Sequence, residues 1–194
     1  MNHGFIRTAT YTPEIRVADT AFNAESIKKG IEQADAAGVE LLVFPEMCIT
    51  GYTCGDLFFS DVLLDGAKAA LKDVANFTVG RKMLVFVGLP IKTDSLIYNV
   101  AAGICDGTIL GLVPKSFLPD YNEFYDKRFF KPAPEGVSYC RLGDEPEQDF
   151  IPFGKNIIFS NAENPDFKVG VEICEDLWTP VPPSVSHALH GATV

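Results

Sequence analysis

Two short apolar runs, each preceded by an amphipathic segment, constrain the fold of this 194-residue chain more than any other feature of its sequence. The runs cover residues 41–44 and 83–88, and their length and Gly or Pro boundaries are typical of buried strands. Apolar residues recur at helical spacing after Asn23 and again over Val62–Val74. The stretch F-I-R-T-A-T-Y from Phe5 has strand composition and precedes the first amphipathic segment. The three strands and two helices form two consecutive β-α-β steps, which predict an α/β fold built around a partly parallel sheet.

The rest of the chain predicts hairpins more than crossovers. Residues 97–113 contain two strand-like runs joined by Asp106-Gly107, a dipeptide that favours a tight hairpin turn and leads to Lys115. A second hairpin is predicted over 156–174, ending on Cys174. Residues 131–155 are rich in Pro, Gly and acidic residues and are predicted to form a loop. The last eleven residues predict a short helix and the start of a strand. We therefore expect a domain that is incomplete at its C-terminus.

Composition excludes several classes of function. The formal net charge is -10 and the sequence pI is about 4.7, so phosphate backbones and anionic membrane surfaces should be repelled, and we expect no nucleic-acid or membrane partner. No apolar run approaches the roughly 20 residues of a membrane span, and the N-terminus lacks the layout of a signal peptide. These features predict a cytoplasmic protein. The five cysteines contain no C-x-x-C pair, which argues against a disulfide framework and a structural metal site.

Three polar residues stand directly after apolar strands, and together they supply a complete chemistry. They are Glu46, Lys115 and Cys174. A thiol is an effective nucleophile as thiolate, so it needs a base that removes its proton and a cation that stabilises negative charge. A carboxylate and an ammonium are suited to these two roles. The three residues therefore predict a nucleophilic thiol enzyme, although an isolated cysteine after a strand is more often core filling.

The residues around these three positions resemble a known family, the nitrilase or carbon-nitrogen hydrolase superfamily. The similarity is carried by F-P-E-M-C-I-T-G-Y-T-C-G-D-L-F at 44–58, P-K-S-F-L-P-D-Y-N-E-F-Y-D-K-R-F-F at 114–130 and I-C-E-D-L-W at 173–178. Within the superfamily, these texts look most like the glutaminase domain of glutamine-dependent NAD synthetases. The resemblance implies an αββα four-layer sandwich over residues 1–194, incomplete at its C-terminal end.

The resemblance also implies roles for individual residues. Glu46 matches the general base, Lys115 the lysine beside the oxyanion, and Cys174 the nucleophile that forms a thioester with glutamine. The other matched positions are expected to orient or bind the substrate: Glu123 as a second glutamate that orients the lysine, Tyr52 and Tyr121 in the glutamine pocket, and Glu175, whose N–H completes the oxyanion hole. Packing of the tyrosines at the pocket rim is an equal alternative. The Glu175 side chain could hold substrate or cap the turn.

The amidase half-reaction implied by this family requires no metal or organic cofactor. Ammonia would pass to a synthetase domain of the same full-length chain, which would need ATP and Mg, and the sequence contains no phosphate-binding loop of that kind. The resemblance further implies a homo-oligomer. Two alternatives remain at this stage: a stand-alone amidase of the ω-amidase or carbamoylase type, and a catalytically silent module in which Cys174 is no more reactive than Cys105.

Overall fold

A seven-stranded mixed sheet forms the centre of the computed structural model, which describes residues 4–143 and 150–194. Its strands are β1 (Thr8–Thr10), β2 (Leu41–Val43), β3 (Leu84–Thr93), β4 (Leu96–Cys105), β5 (Thr108–Pro114), β6 (Ser138–Cys140) and β7 (Ile151–Phe153). The order across the sheet is β1-β2-β3-β4-β5-β7-β6. The first three strands are parallel and β3, β4 and β5 are antiparallel neighbours. Both predicted β-α-β steps and the predicted hairpin at Asp106-Gly107 are therefore confirmed.

Two helices cover one face of this sheet. Helix α1 (Thr20–Ala36) begins at Asp19, whose carboxylate accepts a hydrogen bond from the Phe22 N–H and so caps the helix. It ends at Ala36, and the chain turns away at Gly38, where φ is +67°. Helix α2 (Asp61–Phe77) packs beside it. The core on this face joins buried residues of both helices to alternate residues of β3, among them Ile27, Ile31, Leu71, Val74, Val85 and Val87.

A two-stranded sheet packs on the opposite face. It consists of β8 (Ile158–Ser160) and β9 (Lys168–Gly170), paired antiparallel as predicted. The Phe159 ring lies 5.0 Å from the Phe86 ring. A Cβ atom at Gly103 would lie 2.5 Å from the Phe159 ring, so the two sheets approach closely at that point.

Helix α4 (Pro183–Leu189) forms the outermost layer on the side of the small sheet. Its His187 is buried, and the imidazole lies so close to Gly170 of β9 that a Cβ there would be 2.7 Å from Nδ1. The four layers are therefore helices, large sheet, small sheet and helix, which is the predicted αββα arrangement. After α4, the Gly170 N–H donates to the Val194 carbonyl at 2.9 Å, so the last residues run beside β9 as the predicted strand start.

The structure corrects three element boundaries. Residues 131–155 are not all loop, because β6 and β7 add two short strands to the edge of the large sheet; residues 144–149 of that segment lie outside the described part. Strand β3 passes Pro90 and turns through Asp94 and Ser95, both at positive φ, into β4. Strand β9 ends at Gly170, four residues before the predicted end at Cys174. In the described part of the chain, no helix has the length and apolar character needed to cross a membrane.

Candidate active site

Glu46, Lys115 and Cys174 meet at one edge of the two sheets. Glu46 lies in the turn after β2, and this turn is held in place by the Ile49 N–H, which donates to the carbonyl of Gly88 on β3 at 3.1 Å. Lys115 directly follows β5. Cys174 opens a short 3₁₀ helix, Cys174–Trp178, after β9. The three residues thus come from three different elements, and the fold assembles the predicted cluster.

Lys115 is the centre of the cluster and its side chain is fully buried. Its Nζ donates to Glu46 Oε1 at 2.8 Å and to Asp126 Oδ2 at 2.8 Å. Burial alone would lower the pKa of the ammonium, but the charges of Glu46 and Asp126 outweigh it and raise that pKa above its usual value of 10.5. Lys115 is therefore a permanent cation at neutral pH, placed where it can stabilise an oxyanion.

Cys174 is the exposed member of the cluster and the described cysteine most open to solvent. Its backbone has φ of +48°, a left-handed conformation that is costly for a residue with a side chain and is concentrated at functional turns. Burial of the thiol and the charge of the nearby Glu46 raise the pKa of Cys174, and Lys115 only partly opposes them. The resting group is consequently a thiol beside a carboxylate base, not a preformed thiolate.

The second carboxylate on Lys115 belongs to Asp126 and not to Glu123. Asp126 begins the short helix α3 (Asp126–Phe129) and is 3% exposed, whereas Glu123 is exposed. The lysine-orienting contact predicted for Glu123 is thus made by a residue three positions further along the chain. A signal was present in the sequence, since Asp126 is a single acid among aromatic residues in F-Y-D-K-R-F-F. A role for Glu123 in substrate binding stays a prediction.

The two tyrosines take different positions. The Tyr52 hydroxyl donates to Asp126 Oδ1 at 2.5 Å, and burial together with this carboxylate raises the pKa of the phenol. The Tyr121 hydroxyl donates to Glu175 Oε2 at 2.8 Å on the exposed side of the cluster. Tyr52 therefore contacts the carboxylate that holds Lys115, while Tyr121 and Glu175 lie near the thiol on the exposed side.

Two residues that sequence reasoning did not single out also hold the cluster. Asn99 on β4 donates from Nδ2 to Glu46 Oε1 at 2.5 Å. Asp176, which is 2% exposed, accepts three backbone N–H groups, and burial raises its pKa. These donors come from both catalytic loops: Ser116 and Phe117 after Lys115, and Ile173 before Cys174. Asp176 therefore ties the loop carrying the lysine to the turn carrying the thiol.

A cavity of about 320 Å³ opens beside the thiol and extends between the two sheets. Glu46, Cys174 and Asn99 border it at one end, and most of its remaining lining is apolar. Glu172 also lines it, but its Oε2 accepts from the Ser184 N–H at 3.1 Å, which gives this carboxylate a structural bond to the outer helix. The cavity offers a mostly apolar space next to the reacting groups.

Two of the other cysteines are packed inside the fold. Cys48 and Cys54 are buried, and burial raises the pKa of Cys48 to about 12. Both thiols contact backbone carbonyls, Cys48 that of Gly88 and Cys54 that of Thr50. Within residues 4–143 and 150–194, no group of three or more His, Cys, Asp or Glu side chains is arranged to hold a metal ion.

Comparison with known proteins gives this geometry a family. The sequence profile of the carbon-nitrogen hydrolase family matches residues 7–194. A glutamine-dependent NAD(+) synthetase of Mycobacterium tuberculosis strain H37Rv is 38% identical over 192 residues, which cover 99% of this chain and 28% of that protein. The chain thus spans less than a third of the length of this relative.

Solved structures agree in fold. A glutamine-dependent NAD(+) synthetase from Cytophaga hutchinsonii superposes with a TM-score of 0.82 at 29% identity, covering 97% of this chain and 29% of that one. An amidase from Nesterenkonia sp. has the same fold, with a TM-score of 0.69 at 19% identity over 96% of this chain and 62% of that one. The matched profile covers nearly the whole chain, including all three residues of the cluster. The chain belongs to the carbon-nitrogen hydrolase family.

Proposed function

We propose that this chain is the glutaminase part of a glutamine-dependent NAD synthetase and that it releases ammonia from the side-chain carboxamide of glutamine. The observation that carries the proposal is the meeting of the Cys174 thiol, the Glu46 carboxylate and the Lys115 ammonium at one edge of the fold. The similarity to glutamine-dependent NAD synthetases supports glutamine as the amide and an NAD synthetase as the larger enzyme.

Each group has one task in the first half of the reaction. As the Cys174 sulfur attacks the carboxamide carbon, Glu46 takes the thiol proton. Lys115 and the N–H of Glu175 stabilise the oxyanion that forms on the carbonyl oxygen. When the intermediate collapses, the C–N bond breaks and Glu46 returns the proton to the leaving nitrogen. The products of this half are ammonia and a γ-glutamyl thioester.

The second half reuses the same residues. Water attacks the thioester carbon while Glu46 accepts one of its protons, and Lys115 again stabilises the oxyanion. Collapse breaks the C–S bond and frees glutamate, and the thiolate recovers its proton from Glu46. The raised pKa of the Cys174 thiol suits this cycle, because the resting enzyme then holds the proton that the base must move.

Glutamine is distinguished from simpler amides by its α-amino and α-carboxyl groups. Glu175 presents a half-buried carboxylate directly after the nucleophile, and Tyr121 holds it in place through a hydrogen bond of 2.8 Å. We assign this pair to the α-ammonium of the substrate. Tyr52, by contrast, is hydrogen-bonded to Asp126, which holds the lysine, and it does not line the cavity beside the thiol.

The released ammonia would serve a synthetase domain of the same full-length protein, and ATP and Mg would be needed there alone. A homo-oligomer is the expected assembly of that protein. The cytoplasm is the compartment that the sequence predicts for this protein.

Glutamate release from glutamine tests the proposal. The protein from the complete gene and its Cys174→Ala and Cys105→Ala variants should be compared, since Cys105 is a half-buried thiol outside the cluster. Turnover by the parent and by Cys105→Ala, with loss in Cys174→Ala, supports the assignment. Turnover of other amides in preference to glutamine would instead establish the stand-alone amidase. Equal activity of all three proteins would remove Cys174 as the nucleophile.

A further inference from the structure

A buried amide on the central strand β4 contacts the catalytic base. Asn99 is 1% exposed, and its neighbours along the strand, Tyr98 and Val100, are also buried. We propose that Asn99 is a positioning residue that fixes the Glu46 carboxylate and reserves Oε2 of that group for proton transfer. This inference rests on the proposed function only in naming Glu46 as the base.

The geometry separates the two carboxylate oxygens of Glu46. Oε1 accepts from Asn99 Nδ2 at 2.5 Å and from Lys115 Nζ at 2.8 Å. The amide orientation is fixed chemically, because an ionised carboxylate only accepts hydrogen bonds and so must face the NH₂ group of the asparagine. With two donors on Oε1, Oε2 is the oxygen left to accept the proton from the Cys174 thiol. Without Asn99 the carboxylate would keep one anchor in place of two.

The main chain of Asn99 holds the lysine as well. The Lys115 N–H donates to the Asn99 carbonyl at 2.8 Å, in continuation of the ladder between β4 and β5. Asn99 therefore positions the Glu46 carboxylate with its side chain and the Lys115 backbone with its main-chain carbonyl. A substitution at position 99 removes only the first of these contacts, so its effect can be assigned to Glu46.

The other end of the amide indicates that the asparagine is not there for stability. Asn99 Oδ1 is buried and has no hydrogen-bond partner among the described residues. A buried acceptor without a partner is unfavourable and is uncommon in folded proteins. Leucine would fill a similar volume in this apolar strand without that penalty. The hydrogen bond that Asn99 donates to Glu46 is therefore the reason for an amide at this position.

Several titratable groups surround Glu46, and a pH experiment must account for all of them. They come from four segments of the chain: Lys115 after β5, Cys174 and Glu172 after β9, Asp126 of α3, and Tyr52 in the loop after β2. Substitution of Asn99 by leucine changes none of these groups. A change in kcat or in the alkylation rate at a given pH is then caused by the loss of the amide donor to Glu46.

The test compares Asn99→Leu with Thr78→Val in the protein from the complete gene. Thr78 is a matched control because it is fully buried and its hydroxyl makes two hydrogen bonds, to the Ala75 carbonyl and from the Gly107 N–H, far from the cluster. Two readouts are recorded against pH: kcat and KM for glutamine, and the rate at which iodoacetamide alkylates Cys174. The second does not depend on the substrate, so it tests Asn99 even if glutamine is not turned over.

In Asn99→Leu the Glu46 carboxylate loses one of the two donors on Oε1 and is held less firmly. We expect kcat and the rate of Cys174 alkylation to fall about tenfold across the pH range and KM to change less than about threefold. The melting temperature should stay within about 3 °C. Thr78→Val should lower the melting temperature and leave both rates unchanged. Asn99→Asp, which replaces the donor by an acceptor, should lower both rates further than Asn99→Leu.

The opposite pattern overturns the proposal. If Asn99→Leu lowers the melting temperature as much as Thr78→Val and leaves the alkylation rate of Cys174 unchanged, Asn99 is only a structural residue. The same conclusion follows if Asn99→Asp and Asn99→Leu behave identically. An inactive parent protein whose Cys174 is still alkylated more slowly in Asn99→Leu would overturn the glutaminase assignment and leave this one standing.

Discussion

The Tyr52 hydroxyl donates to Asp126 Oδ1 at 2.5 Å, while the other oxygen of Asp126 accepts from the Lys115 ammonium. Asp126 is 3% exposed, so this carboxylate is stabilised by two donors in place of water. A chain of contacts therefore runs from the loop after β2, through α3, to the lysine of the candidate site. Tyr52 affects the lysine indirectly, through Asp126, and does not need to contact the substrate.

Tyr52→Phe tests that arrangement. The substitution removes one donor to Asp126 and keeps the aromatic ring, so the lysine should be held less firmly while the pocket keeps its shape. We expect kcat for glutamine to fall about 3–10-fold with KM nearly unchanged. Steady-state kinetics with glutamine separates the two constants. An increase in KM at constant kcat would place the hydroxyl in the substrate pocket, as the resemblance alone implied.

Asp126→Asn tests the electrostatics of Lys115. Burial lowers the pKa of the ammonium, and Glu46 and Asp126 raise it above 10.5; removal of the Asp126 charge should bring it down. A raised lysine pKa stabilises the fold at pH values below 10.5, and this contribution is lost as pH rises through the folded value. The variant should therefore lose about 1–3 kcal/mol of unfolding free energy at pH 7.

Urea unfolding at pH 7 and at about pH 10.5, together with the pH profile of kcat, checks this prediction. The alkaline limb of kcat should move to lower pH in Asp126→Asn, because the lysine loses its proton more easily. The exposed Glu123 offers the matched control, and Glu123→Gln should leave both the alkaline limb and the stability at pH 7 unchanged. A shift in Glu123→Gln equal to that in Asp126→Asn would contradict the contacts seen around the lysine.

The layers and the three central residues of the site were predictable, because periodic apolar runs place strand ends and each end carries one polar residue. The role of Asn99 was not predictable, since an asparagine inside an apolar strand gives no indication of the side chain to which it will be hydrogen-bonded. Its partner Glu46 is 53 residues away in the sequence. The sequence pointed to Glu123 in place of Asp126 for a related reason. The two acids are three residues apart, and only the folded path of the chain decides which of them is buried.

The strands whose bounds differ from the sequence prediction show the same limit of local sequence patterns. Strands β6 and β7 are three residues long, and β7 contains Pro152, so the period-two pattern has too few positions to be recognised. Strand β3 crosses Pro90, which normally argues against a strand interior. The pairing of this strand with β4 on one side is what extends it. Tertiary pairing of this kind overrides local preference.

Alkylation of cysteines tests whether the site is active chemically. Cys174 is exposed and lies beside a base, whereas Cys48 is buried and has a pKa raised to about 12. With limiting iodoacetamide at pH 8, peptide mapping should find Cys174 modified at least about tenfold faster than the half-buried Cys105. Equal modification of Cys174 and Cys105 in the parent protein would favour the silent module.

The close approach of β3 to the Glu46 turn leads to the last prediction. A Cβ atom at Gly88 would lie 2.3 Å from the Met47 nitrogen and 2.9 Å from the Glu46 carbonyl carbon, and both are backbone atoms that cannot move aside alone. Gly88→Ala should therefore push the turn outward, break the bond from the Ile49 N–H to the Gly88 carbonyl and displace the base. We expect a loss of about 2–4 kcal/mol in stability and of at least about 100-fold in kcat.

Gly66→Ala separates this steric effect from the general effect of adding a methyl group. Gly66 lies within α2, where a Cβ would approach only the Thr20 side chain, at 3.0 Å from its hydroxyl oxygen, and alanine favours a helix. Its stability should change by less than about 1 kcal/mol, and kcat should be unaffected. Chemical denaturation and glutamate release measured on both variants make the comparison. Because a Cβ at position 88 would meet backbone atoms of the Glu46 turn, an active Gly88→Ala would mean that the turn does not fix Glu46.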